Sequence, residues 1–257
     1  MSDIKGKSEV IVIAGKGGVG KTTLAALLTL YLSQRNPSAV LAIDADPNSN
    51  LGDVLGCGQA ATVADIIEEV SKNPERVPQG MGKDAFIEYR IHEDITENKG
   101  FDLLVMGRPE GPGCYCYINN VLRNSLARLT GHYGYVIIDN EAGLEHFSRK
   151  TTRACSRLMV VSDATGVGLR SAGRMFELVE ELGIRADKRY LFVNKTAAKK
   201  DAEDFKKRFR VDLVLTIPCD EAVAGLSEKG EPLTGLSAGS VMRKAVAAAG
   251  EEIWPRS

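Results

Sequence analysis

The sequence predicts an α/β fold: one mostly parallel sheet covered by helices on both faces. Three observations carry this. Seven short runs are apolar from end to end rather than alternating. Segments with helical spacing of apolar residues lie between them. Strands that alternate with helices and bury both faces make a parallel sheet.

The elements follow in order. "EVIVIAG" (9–15) is a buried strand that ends in glycine, and "TLAALLTLYLSQR" (23–35) continues as a helix. "AVLAIDAD" (39–46) is a second buried strand. "FDLLVMG" (101–107), "YGYVIIDNEAG" (133–143), "SRLMVVSD" (156–163), "RYLFVNK" (189–195) and "VDLVLTIP" (211–218) are further strands. "LRSAGRMFELVEELG" (169–183) reads as a helix stopped by a C-terminal glycine. Residues 72–100 are polar, with two prolines, and read as an insertion or flap in which "AFIEYRI" forms a short strand. Residues 1–8 read as an N-terminal extension, and the lack of a linker or repeat predicts a single domain over 1–257.

Composition narrows the function. The 257 residues are 44% hydrophobic and 26% charged, enough for a large core. A net charge of −1 supplies no global basic field for nucleic acid. No apolar run is long enough to span a membrane, so no membrane partner is expected. Five cysteines, an odd number, without an apolar leader point to a cytoplasmic, reduced chain whose cysteines are thiols or metal ligands.

"GKGGVGKTT" (15–23) satisfies G-x-x-x-x-G-K-[ST] directly after a strand and before a helix. This is the pattern of a P-loop NTPase. The backbone N–H groups of Gly15, Gly17, Gly18, Val19, Gly20, Lys21, Thr22 and Thr23 can turn onto the phosphates of ATP or ADP, at a helix N-terminus. Lys21 is expected on the β- and γ-phosphates and Thr22 on Mg²⁺.

Lys16 is not required by a phosphate loop, and in an arbitrary sequence it would be a solvated surface lysine. The full string "KGGVGKT" resembles the deviant Walker A motif of the MinD/ParA/iron-protein class. The resemblance implies that Lys16 crosses a dimer interface to the partner's nucleotide, as an arginine finger does. It also implies roles for two carboxylate strings at strand ends. "IDADPNSN" (43–50) looks like a first switch, with Asp44 near Mg²⁺ through water and Asp46 orienting or deprotonating the attacking water. "IIDNEAG" (137–143) looks like a Walker B and second switch, with Asp139 holding the Mg²⁺ shell and the Gly143 N–H meeting the γ-phosphate. Acids at the carboxyl ends of apolar strands suit this role; Asp53 and Asp163 read instead as cap or turn residues. By the same resemblance Asn194 of "VNK" reads adenine and Pro218 of "IPCD" packs on its ring.

Cys114 and Cys116 in "GPGCYCYINN" (111–120) stand behind a Gly-Pro-Gly turn. On extended backbone both sulfurs face one side. Two thiolates do not complete a four-coordinate soft-metal site. If Lys16 does mark a two-fold dimer, symmetry supplies the other two. The plainer reading is a pair of small buried hydrophobes at a helix start. Cys57, Cys155 and Cys219 read as structural or incidental, and His146 reads as packing or capping near the second switch, with assistance to a metal or the switch as the alternative.

Taken in order, KGGVGKTT, DADPNSNLG, GPGCYCY, DNEAGLEH and VNK resemble the CooC/AcsF group over about residues 9–250. These are nickel-insertion ATPases that mature carbon monoxide dehydrogenase or acetyl-CoA synthase. The resemblance implies an ATPase that dimerises when ATP- or metal-bound, holds Ni²⁺ or Zn²⁺ across the dimer, and serves a nickel-enzyme client. There is no histidine-rich tail; the chain has only three histidines, which argues against nickel storage. Two other readings stand beside it. An iron-protein-like reductase would place one cluster cysteine just past the second switch, where "LEHFSRKT" has none. A MinD/ParA-type positioning role would want a basic patch or basic amphipathic helix, and "VMRKAVAAAGEEIWPRS" has mixed charge. An amidoligase of this fold would need further substrate machinery that the sequence does not display.

Overall fold

The computed structural model describes residues 8–35, 40–58, 60–108, 128–141, 154–196 and 202–255. Among these residues the strands are β1 (Glu9–Gly15), β2 (Val40–Asp44), β3 (Thr96–Asn98), β4 (Phe101–Val105), β5 (Tyr135–Asp139), β6 (Ala154–Asp163), β7 (Arg185–Asn194) and β8 (Leu213–Thr216). They form one sheet in the order β3-β4-β2-β5-β1-β6-β7-β8. Every neighbouring pair is parallel except β3–β4. The order leaves β1 with β5 on one side and β6 on the other, so the crossovers part at β1. In open α/β sheets this switch point is where ligands bind.

The helices are α1 (Lys21–Arg35), α2 (Leu51–Leu55), α3 (Val63–Lys72), α4 (Lys83–Glu93), α5 (Gly166–Glu181), α6 (Ala202–Phe209), α7 (Glu221–Lys229) and α8 (Val241–Ile253). Alternate residues of β1 feed two separate cores. Ile11 and Ile13 join Leu24, Leu28 and Leu32 of α1, Leu51 of α2, Val223 of α7 and Val246 of α8. Val12 and Ala14 join Ile66 and Val70 of α3, Ile87 and Ile91 of α4, Phe176 of α5 and Phe209 of α6. The sheet is therefore a middle layer buried from both sides, which is why its strands read as unbroken apolar runs.

Local chemistry sets the helix ends. Thr62 and Asp65 form a reciprocal capping box at the start of α3. Gly183 takes φ +64° after α5, and the N–H of Ile184 reaches back to the Val179 carbonyl at 3.0 Å. This is the glycine stop expected there. At the amino-terminal ends of the central strands Glu9 accepts from Arg157 Nε (2.8 Å), Arg157 Nη2 (3.1 Å) and Trp254 Nε1 (2.8 Å). Arg157 also lies over the Trp254 ring, 5.2 Å from its centroid. That cluster ties the end of α8 to β1 and β6.

Residues 72–100 differ from the sequence expectation. "AFIEYRI" lies inside α4 and is helical, not a strand. Ile87 and Ile91 are both fully buried, one helical turn apart, and that period wins over the short apolar run. β3 is three polar residues antiparallel to β4 at the sheet edge, with no apolar signal to mark it. The other strands fall within four residues of their expected limits, and β1 matches them.

Candidate nucleotide site

The functional residues collect at the carboxyl ends of the central strands. β1 ends at Gly15, β2 at Asp44, β5 at Asp139, β6 at Asp163 and β7 at Asn194. Asp44 and Asp139 stand directly opposite one another in register, as do Asp163 and Asn194. A cavity of about 1140 Å³ opens here, slightly above the range of about 300–1,000 Å³ usual for small-molecule sites. Gly17, Gly18, Gly20, Lys21, Thr22 and Thr23 line one side of it, Asp46, Asn48 and Glu141 a second, and Asn194, Lys195, Cys219 and Asp220 a third.

Residues 15–20 turn tightly from β1 into α1. A Cβ on Gly15 would sit 2.5 Å from the Val161 carbonyl oxygen, and one on Gly20 would sit 2.4 Å from Asn194 Nδ2, with Gly20 at φ +95°. Neither position tolerates a side chain. Two contacts from the end of β7 hold the loop. Asn194 Nδ2 donates to the Val19 carbonyl (2.8 Å) and Lys195 Nζ to the Gly18 carbonyl (3.1 Å). Lys195 itself adopts φ +58°, uncommon for a residue with a side chain. Lys21 is buried, and its ammonium donates to the Lys16 carbonyl at 3.2 Å, folded across the loop. The Lys16 side chain is exposed. Loop amides together with the N-terminus of α1 make an anion site.

The two strand-end carboxylates differ. Asp44 is fully buried; its Oδ1 accepts from the Asp46 N–H (3.1 Å) and its Oδ2 from the Leu51 N–H (2.7 Å). Burial pushes its pKa up to about 6 although the two N–H groups pull it back. Asp44 therefore shapes the loop that carries Asp46, whose own Oδ1 accepts from Asn48 N–H and Nδ2, both at 2.9 Å. Asp139 is 1% exposed, and neither carboxylate oxygen has a well-formed hydrogen bond. Burial pushes its pKa up to about 7. The Thr22 hydroxyl and the Lys21 ammonium lower it, while Asp44 and Asp46 raise it. The hydroxyl is close enough to act on the carboxylate without being placed to bond it regularly. A buried carboxylate without partners, beside a threonine hydroxyl, is costly unless a cation completes it. The residues present thus fit Mg²⁺, with Asp139 and Thr22 facing it.

Not every expected residue lines the cavity. Pro218 is half-buried and outside the lining, where its neighbours Cys219 and Asp220 take the place. Asp163 accepts from the Thr165 N–H and hydroxyl, a turn role as the sequence suggested. Cys155 is buried and Cys57 half-buried, but Cys219 is exposed at the cavity wall. Cys114, Cys116, Gly143 and His146 lie outside the described residues. Among the described residues no group of three or more His, Cys, Asp or Glu is placed to hold a metal ion.

The sequence reading missed Asp220 and Lys195. Asp220 Oδ1 accepts from Ala222 N–H at the start of α7 (2.9 Å). Its Oδ2 accepts from Ser240 Oγ (2.5 Å) and Met242 N–H (3.0 Å) at the start of α8. One carboxylate pins two helices whose residues Val223 and Met242 line the cavity. The α7 cap was legible as an Asp before a helix; the α8 contact, twenty residues on, was not.

The chain matches the family model described as "CobQ/CobB/MinD/ParA nucleotide binding domain" over residues 10–233. It is 40% identical over 248 residues to the uncharacterized ATP-binding protein MJ0685 of Methanocaldococcus jannaschii, covering 95% of this chain and 98% of that one. It is 32% identical over 233 residues to the carbon monoxide dehydrogenase accessory protein CooC of Rhodospirillum rubrum, covering 86% and 87%. Among solved structures, the MinD cell division protein of Aquifex aeolicus superposes with a TM-score of 0.71 at 22% identity, covering 97% and 98%, and so supports the fold. Loop, carboxylates and family match agree: the chain belongs to the CobQ/CobB/MinD/ParA family of nucleotide-binding P-loop proteins.

Proposed function

We propose that the protein is an ATP-hydrolysing metallochaperone that uses ATP-dependent dimerisation to deliver nickel to carbon monoxide dehydrogenase or acetyl-CoA synthase. One observation carries this reading. An intact nucleotide cavity with a lysine exposed at position 16 occurs in the same chain as the Cys114-x-Cys116 pair. The 32% identity to CooC, across most of both chains, supports it.

In this reading Lys21 leaves the Lys16 carbonyl for the phosphates, and Asp46 orients the water. Thr22 and Asp139 would hold Mg²⁺, which when bound would supply neutralisation of charge on the phosphates. The Lys16 side chain reaches the partner's nucleotide and closes the dimer, and segments 44–50 and 139–146 carry that closure toward residues 111–118. Four thiolates, two from each chain, then hold Ni²⁺ or Zn²⁺ as cargo. Hydrolysis loosens the interface and frees the metal for the client. Linkage requires that metal tighten the dimer and ATP tighten metal binding.

Relatives in this family include MinD of Thermotoga maritima, 26% identical over 240 residues. A MinD-like positioning role at a membrane would want a free amphipathic helix. Among the described residues no helix is long and apolar enough to cross a membrane. The apolar face of α8 (Met242, Val246, Ile253) is spent in the core beside α1, so α8 is not free to act as such a helix. The test is a titration of nickel and of zinc into wild-type and Cys114→Ser/Cys116→Ser protein, with and without ATP. The reading expects one ion per two wild-type chains and none in the variant. Unchanged stoichiometry would reject it.

A further inference from the structure

A second concavity, of about 600 Å³, lies between α5 and the end of α6, on the sheet face opposite α1. Arg170 and Arg174, one helical turn apart on α5, face Arg208 and Arg210 at the end of α6 across it. All four are exposed, and among the described residues none of them makes an ion pair. Glu180, on the same rim, is paired instead with Arg189 on β7 at 2.8 Å. Beneath the arginines Phe176 and Phe209 meet with ring centroids 6.2 Å apart, both buried in the core, and the Arg208 guanidinium lies over the Phe209 ring, 5.1 Å from its centroid. Gly173 makes this approach possible, since a Cβ there would stand 3.1 Å from the Phe209 ring.

Four like charges converging on one cleft repel one another, and the two rim carboxylates answer them only in part: Glu180 feels Arg189 most strongly and Arg210 less. The rim is not uniformly basic, because Glu177 and Glu180 interrupt it. A phosphate backbone, with its even spacing of negative charge, would be repelled by those two carboxylates, whereas a polypeptide can place a neutral or basic residue against them. The net charge of −1 gives no long-range attraction for nucleic acid either.

We propose that the α5/α6 cleft is a docking surface for a partner protein, which presents an acidic segment to it. The carboxylates of that segment take the four guanidinium groups, which are suited to bidentate pairing. The cleft also has a place in the fold relative to the nucleotide. α5 begins at Thr165, which caps the helix through Gly168 N–H and bonds Asp163 at the end of β6. The Thr165 hydroxyl and N–H hold the Asp163 carboxyl below the ordinary carboxylate range, and Lys16 of the phosphate loop adds a smaller part. A partner seated there would rest on the helix that starts beside the phosphate loop.

The experiment measures binding of a fluorescein-labelled synthetic peptide, rich in Asp and Glu, by anisotropy to the full chain. A DNA duplex is run in parallel. The expected result is peptide binding that weakens by about tenfold or more between low and physiological salt. It should weaken by a similar factor in Arg174→Glu/Arg208→Glu and survive in Arg174→Lys/Arg208→Lys. Equal affinity for ATP in both variants shows that they are folded, since none of these residues lines the nucleotide cavity. Peptide binding that is absent, or indifferent to the charge reversal, overturns the proposal. So does duplex binding tighter than the peptide's and lost in the same variant, which would make the occupant nucleic acid. No outcome depends on nickel, the cysteine pair or dimerisation, so this result and that of the metal titration are independent.

Discussion

Replacing Asp139 by Asn is expected to stabilise the nucleotide-free protein while removing its response to Mg-ATP. The carboxyl is 1% exposed, and both oxygens lack well-formed hydrogen bonds. Burial raises its pKa from 3.8 to about 7. A carboxyl whose folded pKa is raised binds a proton in the native state that the unfolded chain has already lost. Stability therefore falls as pH climbs from the unfolded value near 3.8 to the folded value near 7, and the full penalty stands above that. Three pKa units correspond to about 4 kcal/mol. The amide of Asn carries no charge to desolvate, but its buried N–H₂ needs a partner at a cost of about 1–3 kcal/mol. The net gain at pH 8 is then about 1–3 kcal/mol, or a rise of about 2–8 °C in Tm for a chain of this length. At pH 4.5, where the native carboxyl is protonated anyway, the gain disappears. Scanning calorimetry at both pH values, with and without Mg-ATP, checks this. A variant less stable than wild type at pH 8, or one that Mg-ATP stabilises as much as wild type, would refute the argument that Asp139 waits for a cation.

Other perturbations separate the parts of the site. Lys16→Ala should keep ATP affinity but lower the steady-state ATPase rate by about 10³-fold or more, the scale of a missing finger in trans; a rate within a factor of two of wild type would remove Lys16 from the chemistry. Gly20→Ala forces a Cβ to within 2.4 Å of Asn194 Nδ2 and should abolish nucleotide binding in equilibrium dialysis. Asp220→Ala releases the starts of α7 and α8 together, costing about 1–3 kcal/mol in urea unfolding and raising the KM for ATP more than it changes kcat.

The sequence was most legible where the backbone is confined by composition. "GKGGVGKTT" specifies its loop because few other residues could make the turn at Gly15 and Gly20. The central strands were legible because burial on two faces demands apolar residues throughout. Asp44 and Asp139 stood out as acids ending such strands, and they are indeed neighbours in register. What was not legible depends on distance in sequence or on a weak pattern. Three polar residues at an edge, Thr96–Asn98, carry no burial signal. α4 announces itself only through Ile87 and Ile91 and was read with the wrong period. Lys195 Nζ bonds the Gly18 carbonyl across 177 residues, and the α8 contact of Asp220 spans 22, neither of which any local motif encodes. The cleft arginines come from α5 and α6 and meet only in the folded chain.

The central claim is that nucleotide brings two copies together so that their cysteine pairs share one metal ion. Sedimentation of Asp46→Asn protein, in which the proposed role of Asp46 predicts slow hydrolysis, loaded with Mg-ATP and nickel, tests it most directly. The account predicts a two-chain species carrying one nickel, which reverts to single chains when Lys16→Ala is added and loses its metal when Cys114 and Cys116 become serine. A single-chain species under saturating Mg-ATP and nickel, or a dimer whose metal content ignores both cysteines, would contradict it.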